Sequence, residues 1–257
     1  MEYSFSPEEA ALLFALYGQQ SPPVVGLEAD VSSGKDLSAS SRALFDGLVS
    51  RGLLTPGADA AMILQEGFAK AFGVCLQADV VLVPEVEGVA TSTVFRYEDM
   101  VTVIDKVDGS IVFRLHESAE AGNEAFARCV GAGGADAEAL ALYEVPLDEV
   151  TSEKLLECFD AGDQDGIRTL CLRAGWDFQI VAEILYRAVP DVAGSVRLTA
   201  LFRDLPARVT AKILCEGDAA WLLKFVFATD EQITYLIRCN TGSLLGILCD
   251  VSDWQSF

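Results

Sequence analysis

The stretch MVTVIDKVDGSIVFRL, residues 100–115, decides the fold class. Apolar residues alternate or run together on both sides of Asp108-Gly109, a pair suited to the two positive-φ positions of a type I′ turn. The segment therefore reads as a β-hairpin, with strands over Met100 to Asp105 and Ser110 to Leu115. Upstream, Thr91 to Tyr97 and Val80 to Val83 have the same period of two, so an antiparallel meander is predicted.

Before the meander the period is helical. Ser6 is placed to cap a first helix, with Pro7 at its first position and Glu8 and Glu9 against its positive end, and Leu12, Leu13, Leu16 and Tyr17 form its stripe. Gly18 and Ser21-Pro22-Pro23 end it, and Val24 to Leu27 is a short extended piece. A second helix is predicted from about Ser38 to Ser50, with Leu44, Phe45, Leu48 and Val49 on one face and Gly52 as its stop. A third spans about Ala58 to Phe72. After the meander a helix is expected over Glu117 to Val130, and Gly131-Ala132-Gly133-Gly134 reads as a hinge.

The remainder repeats this order. Helices are predicted over Ala135 to Leu142, Leu147 to Ala161, Gln164 to Ala174 and Phe178 to Ala188. Strands follow over Ser195 to Phe202, Arg208 to Cys215, Trp221 to Thr229, Gln232 to Cys239 and Leu244 to Val251. Asp230-Glu231 and Asn240-Thr241-Gly242 are short enough to join neighbouring antiparallel strands. Runs of helices separated from runs of strands argue for an α+β fold, with antiparallel meanders in two similar halves, 1–134 and 135–257, in a pseudo-two-fold arrangement.

Charge narrows the partners. With 39 carboxylates against 18 lysines and arginines, the formal net charge is −21, a field that repels phosphate backbones and anionic lipid. Nucleic acid and membrane surfaces are thus poor partners, and another protein is the expected one. The apolar stretch Ala219 to Ala228 holds Lys224 and is half the length needed to span a bilayer. Met1 to Ala10 carries three glutamates and no cation, unlike a secretory or transit leader, so a cytoplasmic protein is expected. Seven cysteines without C-x-x-C spacing read as reduced thiols packed as small hydrophobes.

No residue set points to catalysis, a cofactor or a metal. His116 is the single histidine and lies at a strand end beside Arg114, with no cysteine close in sequence to complete a zinc site. Asp160 to Gly166 resembles a calcium loop, but alignment on Asp163, Asp165 and Gly166 puts Ala161 at the first ligand and Leu172 at the bidentate glutamate. It reads instead as an inter-helix turn in which Asp163 or Asp165 caps the next helix. The glycines at 131–134 follow a helix rather than a strand, unlike a dinucleotide turn. The second helix and its Arg51-Gly52-Leu53 ending are similar to the segment before the wing of winged-helix domains, but only Arg42 and Arg51 could face DNA. Trp176, Phe178 and Trp254 sit at turn-like or terminal positions and are the candidate protein-binding residues, because large aromatics anchor interfaces.

The order of elements resembles that of the EspG family, the cytosolic chaperones of type VII secretion. The helix over Phe5 to Leu16, the helix from Ala43 to Leu54 and the Val89 to His116 meander are similar to that family's first half. Phe227 to Asp250, with turns at Thr229-Asp230 and Asn240-Thr241-Gly242, resembles its closing strands. Glu231-Gln232-Ile233-Thr234 stands where the family carries a glycine and arginine run. The resemblance implies a non-enzymatic chaperone or adaptor that covers an apolar helical tip of a secretion substrate. Two rivals follow from the charge: an immunity protein whose acidic surface neutralises a basic toxin, and a hydrolase built on converging carboxylates.

Overall fold

The computed structural model describes residues 2–19, 23–25, 27, 39–57, 62–90, 92–132, 140–205, 207–228 and 231–250. The chain divides into two compact units, 1–81 with 91–122 and 82–90 with 123–257. The strand pairs within each are antiparallel and the helices fall in separate runs, an α+β arrangement.

In the first unit a strand absent from the sequence reading, β1 (Glu2–Phe5), precedes α1 (Pro7–Leu16). Ser6 and Glu9 form a reciprocal capping box, each side chain accepting the other's backbone N–H at 3.2 and 2.9 Å, so the helix starts where its caps are. Arg51 then ties three elements: it pairs with Glu9 at 3.0 Å, donates to the Ser4 carbonyl and lies over the Phe5 ring. Of the predicted α1 stripe, Leu13 is buried and Leu12 and Tyr17 pack on the core, but Leu16 faces out and Phe14 takes the inner position. α2 (Ala39–Ser50) buries Leu48, with Phe45 and Val49 packed beside it. Ser38 lies outside the described residues, as do 133–139, so the hinge and the Ala135 to Leu142 helix are not placed; of the latter, Leu140 to Leu142 have no regular structure.

The third predicted helix is corrected. β2 (Leu54–Pro56) pairs with β3 (Met62–Leu64), and α3 (Glu66–Gln77) begins only after Gln65, whose side-chain oxygen accepts the Phe68 N–H. A two-strand pairing overrode the apolar periodicity upstream of Gln65. β4 (Val80–Val86) and β5 (Val89–Ala90) form a hairpin across Glu87 and Gly88, both at positive φ. β6 (Ser92–Tyr97), β7 (Met100–Val107) and β8 (Ser110–His116) form the predicted meander, and β1 adds beyond β8. Asp108 and Gly109 have φ of 48° and 79°, as a type I′ turn requires. One sheet face packs Phe5, Phe95, Ile104, Ile111 and Phe113 on α1 and α3, where Phe14, Phe68 and Phe72 complete a ring cluster with centroids 4.9–6.3 Å apart. α4 (Ala119–Cys129) follows.

The second unit also holds residues 82–90 and 123–132, and a further correction falls in it: Leu147 belongs to a strand, β9 (Tyr143–Asp148), and the helix α5 (Glu149–Asp160) starts at its Asp148 cap. α6 (Gln164–Ala174) and α7 (Phe178–Ala188) have the predicted bounds. Asp163 caps α6 by accepting the Gly166 N–H at 2.9 Å, and a Cβ at Gly166 would lie 2.8 Å from Cys158 Sγ, so a larger residue there would displace that side chain and the capping carboxylate. β10 (Val196–Phe202), β11 (Ala207–Glu216), β12 (Ala219–Ala228) and β13 (Glu231–Asn240) make a meander, and β9 pairs on the far side of β13. The linking residues 229–230, including the Thr229-Asp230 turn, lie outside the described residues.

The last predicted strand, Leu244 to Val251, is instead α8 (Leu244–Cys249), and Thr241–Ser243 is a 3-10 turn leading into it rather than a strand link. A short apolar run has no period to separate strand from helix. Lys224, 2 % exposed on β12, donates to the Ile247 and Asp250 carbonyls at 2.7 and 3.0 Å and so occupies the negative end of α8.

Candidate protein-binding surface

Strand alternation sets the geometry of the second unit's sheet. On one face, Trp221, Leu223 and Leu236 with Val145 and Leu147 lie beneath α5, α6 and α7, which bury Leu155, Ile167, Val181, Ile184 and Leu185 against them. Three contacts fix the helices there. Ser152 donates to Thr234 at 3.0 Å, both buried, the Asp177 N–H donates to the Tyr143 hydroxyl at 2.8 Å, and Arg187 lies 4.2 Å over the Trp221 ring. Glu183 pairs with Arg238 at 3.1 Å on the same face.

The same face changes character toward the other end of its strands. The register places Leu201, Arg208, Phe227 and Gln232 in one row across β10 to β13, and Thr199, Thr210, Phe225 and Thr234 in the next. Leu201 is 41 % exposed and Phe227 39 %, Arg208 is exposed, and the Phe225 and Phe227 rings stack at 6.3 Å. Large apolar side chains are thus left in solvent between polar ones.

The charge at this end is opposite to that of the chain. On this face of β10 to β12 the open row carries Arg208, Arg197 and Lys212 lie two rows away in the row of Leu223, and the one carboxylate, Glu216, lies farther still, paired with Arg187. Asp191 serves two of the cations: it pairs with Lys212 at 2.7 Å and Arg197 at 3.6 Å, and the Lys212 ammonium holds the Asp191 carboxyl below the usual carboxylate range. Arg208 has no ion-pair partner among the described residues. An exposed arginine flanked by phenylalanine and leucine is the composition of an interface anchor.

The nominated aromatics lie elsewhere in this unit. Trp176 follows α6, where its N–H donates to the Cys171 carbonyl, and it is half-buried against the core. Phe178 opens α7, also half-buried, with the Arg168 guanidinium 4.4 Å from its ring centre. Leu172, one turn beyond Arg168 on α6, is 81 % exposed. The structure therefore brings Phe178 together with Arg168 and spends much of both aromatic surfaces inside the unit. Trp254 lies outside the described residues. Leu201, Arg208 and Phe227 were not nominated. The signal was the polar alternation Arg208, Thr210, Lys212 along β11, which marks an outward face, whereas the large residues of β12 do not show where the cover stops.

Chemistry-bearing groups elsewhere are dispersed. His116 ends β8 opposite Val101 and is half-buried. No group of three or more metal-ligating side chains converges among the described residues. None of the seven cysteines is joined in a disulfide. Burial pushes the Cys215 and Cys239 thiols up to about 12, and that of Cys75 higher still, so these three are poor nucleophiles at neutral pH. In the first unit a shallow cleft of about 340 Å³ is lined by Gln65, Glu66, Gly67, Lys70, Leu115 and Glu117. Its Lys70–Glu117 pair at 3.2 Å is solvent-exposed, an arrangement that suits a surface ion pair.

These features define an α+β protein with a partly apolar, locally cationic sheet surface on an acidic body. No helix among the described residues is long and apolar enough to cross a membrane. No protein-family model matches the sequence, and no curated protein matches it. Among solved structures, the chain is similar to the Mycobacterium tuberculosis type VII secretion system chaperone EspG5, in a complex with the PE25-PPE41 dimer. Identity is 15 %, the TM-score is 0.46, and the match covers 96 % of this chain and 94 % of that one. The likeness is remote.

Proposed function

We propose that this chain is a non-enzymatic cytoplasmic chaperone or adaptor that holds a type VII secretion substrate. The observation that carries a protein-holding role is the open end of the second unit's sheet, where Leu201 and Phe227 stand in solvent beside Arg208. Such a surface covers apolar residues of a client, while the remaining negative charge keeps the complex dispersed. The class of client comes from the element order, which resembles that of the secretion chaperones. The net charge of −21 favours one rival, an immunity protein that neutralises a basic toxin by steered association.

Deleting the gene in its native host and following the secreted proteins tests the reading. A helical substrate should disappear from the medium, accumulate as aggregate inside the cell, and co-purify with this chain in the wild type. The complex should change little in association rate with ionic strength. Recovery of a basic toxin domain, with an association rate falling steeply between low and high salt, would replace this reading with the immunity one.

A further inference from the structure

Within this chain the open end of the β10–β13 face is a local inversion of charge. Its outermost row contains one charged residue, Arg208, and that residue lacks a carboxylate among the described residues, although the chain carries more than two acids for each cation. The neighbouring cations on the same face already have partners, Lys212 and Arg197 sharing Asp191 and Arg238 pairing with Glu183. Arg208 lies between Leu201 and Phe227 in register, so a ligand reaching the guanidinium must also cover two exposed apolar side chains. A basic or purely apolar segment would leave the arginine desolvated and unpaired, which is costly. A highly charged, apolar-poor segment would leave the phenylalanine and leucine uncovered and would meet the repulsion of the whole body.

We propose that this surface receives an amphipathic acidic segment of a partner protein, whose apolar face seats on Leu201 and Phe227 while a carboxylate pairs with Arg208. This rests on the protein-holding role above and names the chemistry of what is held. The pairing is a charge-assisted contact at the centre of an apolar patch, the position from which an arginine contributes most to binding. It also selects against basic segments, because the acidic body that attracts them does not extend to this row.

The test is a fluorescence-anisotropy titration of the full chain with three helical peptides of about 18 residues. One has a leucine face flanked by glutamates, one has lysines in place of the glutamates, and one keeps the glutamates with serines in place of the leucines. The first should bind, and the other two should bind about tenfold more weakly or not at all. Arg208→Glu and Phe227→Ser should each weaken the first peptide by about tenfold, with thermal unfolding unchanged, whereas Arg42→Glu on α2 should stay within about twofold. Equal or tighter binding of the lysine peptide, or indifference to Arg208→Glu, overturns the proposal. So does a concentration-dependent dimer of this chain that Arg208→Glu abolishes, since a second copy would then occupy the surface. A native client whose binding ignores Arg208→Glu leaves the chaperone reading standing and this surface wrong; peptide binding with secretion unaffected by gene deletion does the reverse.

Discussion

The two ends of one sheet face in the second unit were built from similar residues and ended differently. Along β12, Trp221, Leu223, Phe225 and Phe227 alternate without a break, yet the first two lie beneath helices and the last is open to solvent. The difference comes from the neighbouring strands. Toward the covered end β13 and β9 supply Leu236 and Val145, which extend the apolar surface for α5 to α7 to bury. Toward the open end β10 and β11 supply Thr199, Thr210 and Arg208, which no helix could bury without pairing the charge. A strand's own pattern gives its faces, and its neighbours decide whether a face becomes core or surface.

The largest test of this contrast compares truncations at the two ends. Leu236→Ala, beneath the helices, should cost about 2–5 kcal/mol in urea unfolding, through lost burial and the cavity left behind. Phe227→Ser, two rows away on the same face, should fall within about 0.5 kcal/mol of the wild type. Equal losses would mean that Phe227 is structural and that the open end is not a free surface.

An intermediate effect is expected on the opposite face of β12. Lys224→Met keeps the length of the side chain but leaves the Ile247 and Asp250 carbonyls without that donor, a loss of about 1–3 kcal/mol. Hydrogen exchange should report it first in α8, with the amides of β7 and β8 unchanged. Uniform loss of protection would show instead that Lys224 supports the whole unit.

The smallest effect sharpens the edge of the covered end. Asp148 caps α5 by accepting the Thr151 N–H and hydroxyl at 2.7 and 3.0 Å, and these bonds hold its carboxyl below the usual range. A carboxyl whose folded pKa is depressed stabilises the fold above its unfolded value, and this contribution disappears as pH falls through the folded value. Asp148→Ala should therefore cost about 1 kcal/mol at neutral pH. In urea melts at a series of pH values the gap to the wild type should close below the carboxylate range; a gap that persists there would assign the loss to helix propensity rather than to the charged cap.

Much of the scaffold was legible because its signals are local. The Ser6 and Glu9 caps, the Asp108-Gly109 turn, the Asp163 cap and the bounds of α6 and α7 each depend on residues within a turn of one another. The misread segments depend on distant partners. β1 is a strand because β8 is beside it, Leu147 extends because β13 pairs with it, and Leu244 to Cys249 coils with Lys224 at its end. The proposed surface was not legible for a related reason: Trp176 and Phe178 stand out locally at their turn positions, whereas Leu201, Arg208 and Phe227 meet only through register.

The amino-acid sequence by itself determined the class of this protein: helices and antiparallel strands in separate runs, an acidic body, and thiols without ligand spacing. These follow from composition and short-range periodicity, which act before any distant contact forms. Only the tertiary structure decided which alternating residues became core, which short apolar run became a helix, and where an arginine and two apolar side chains share one open row. Burial and pairing across strands far apart in the chain set those outcomes, and no local stretch contains them.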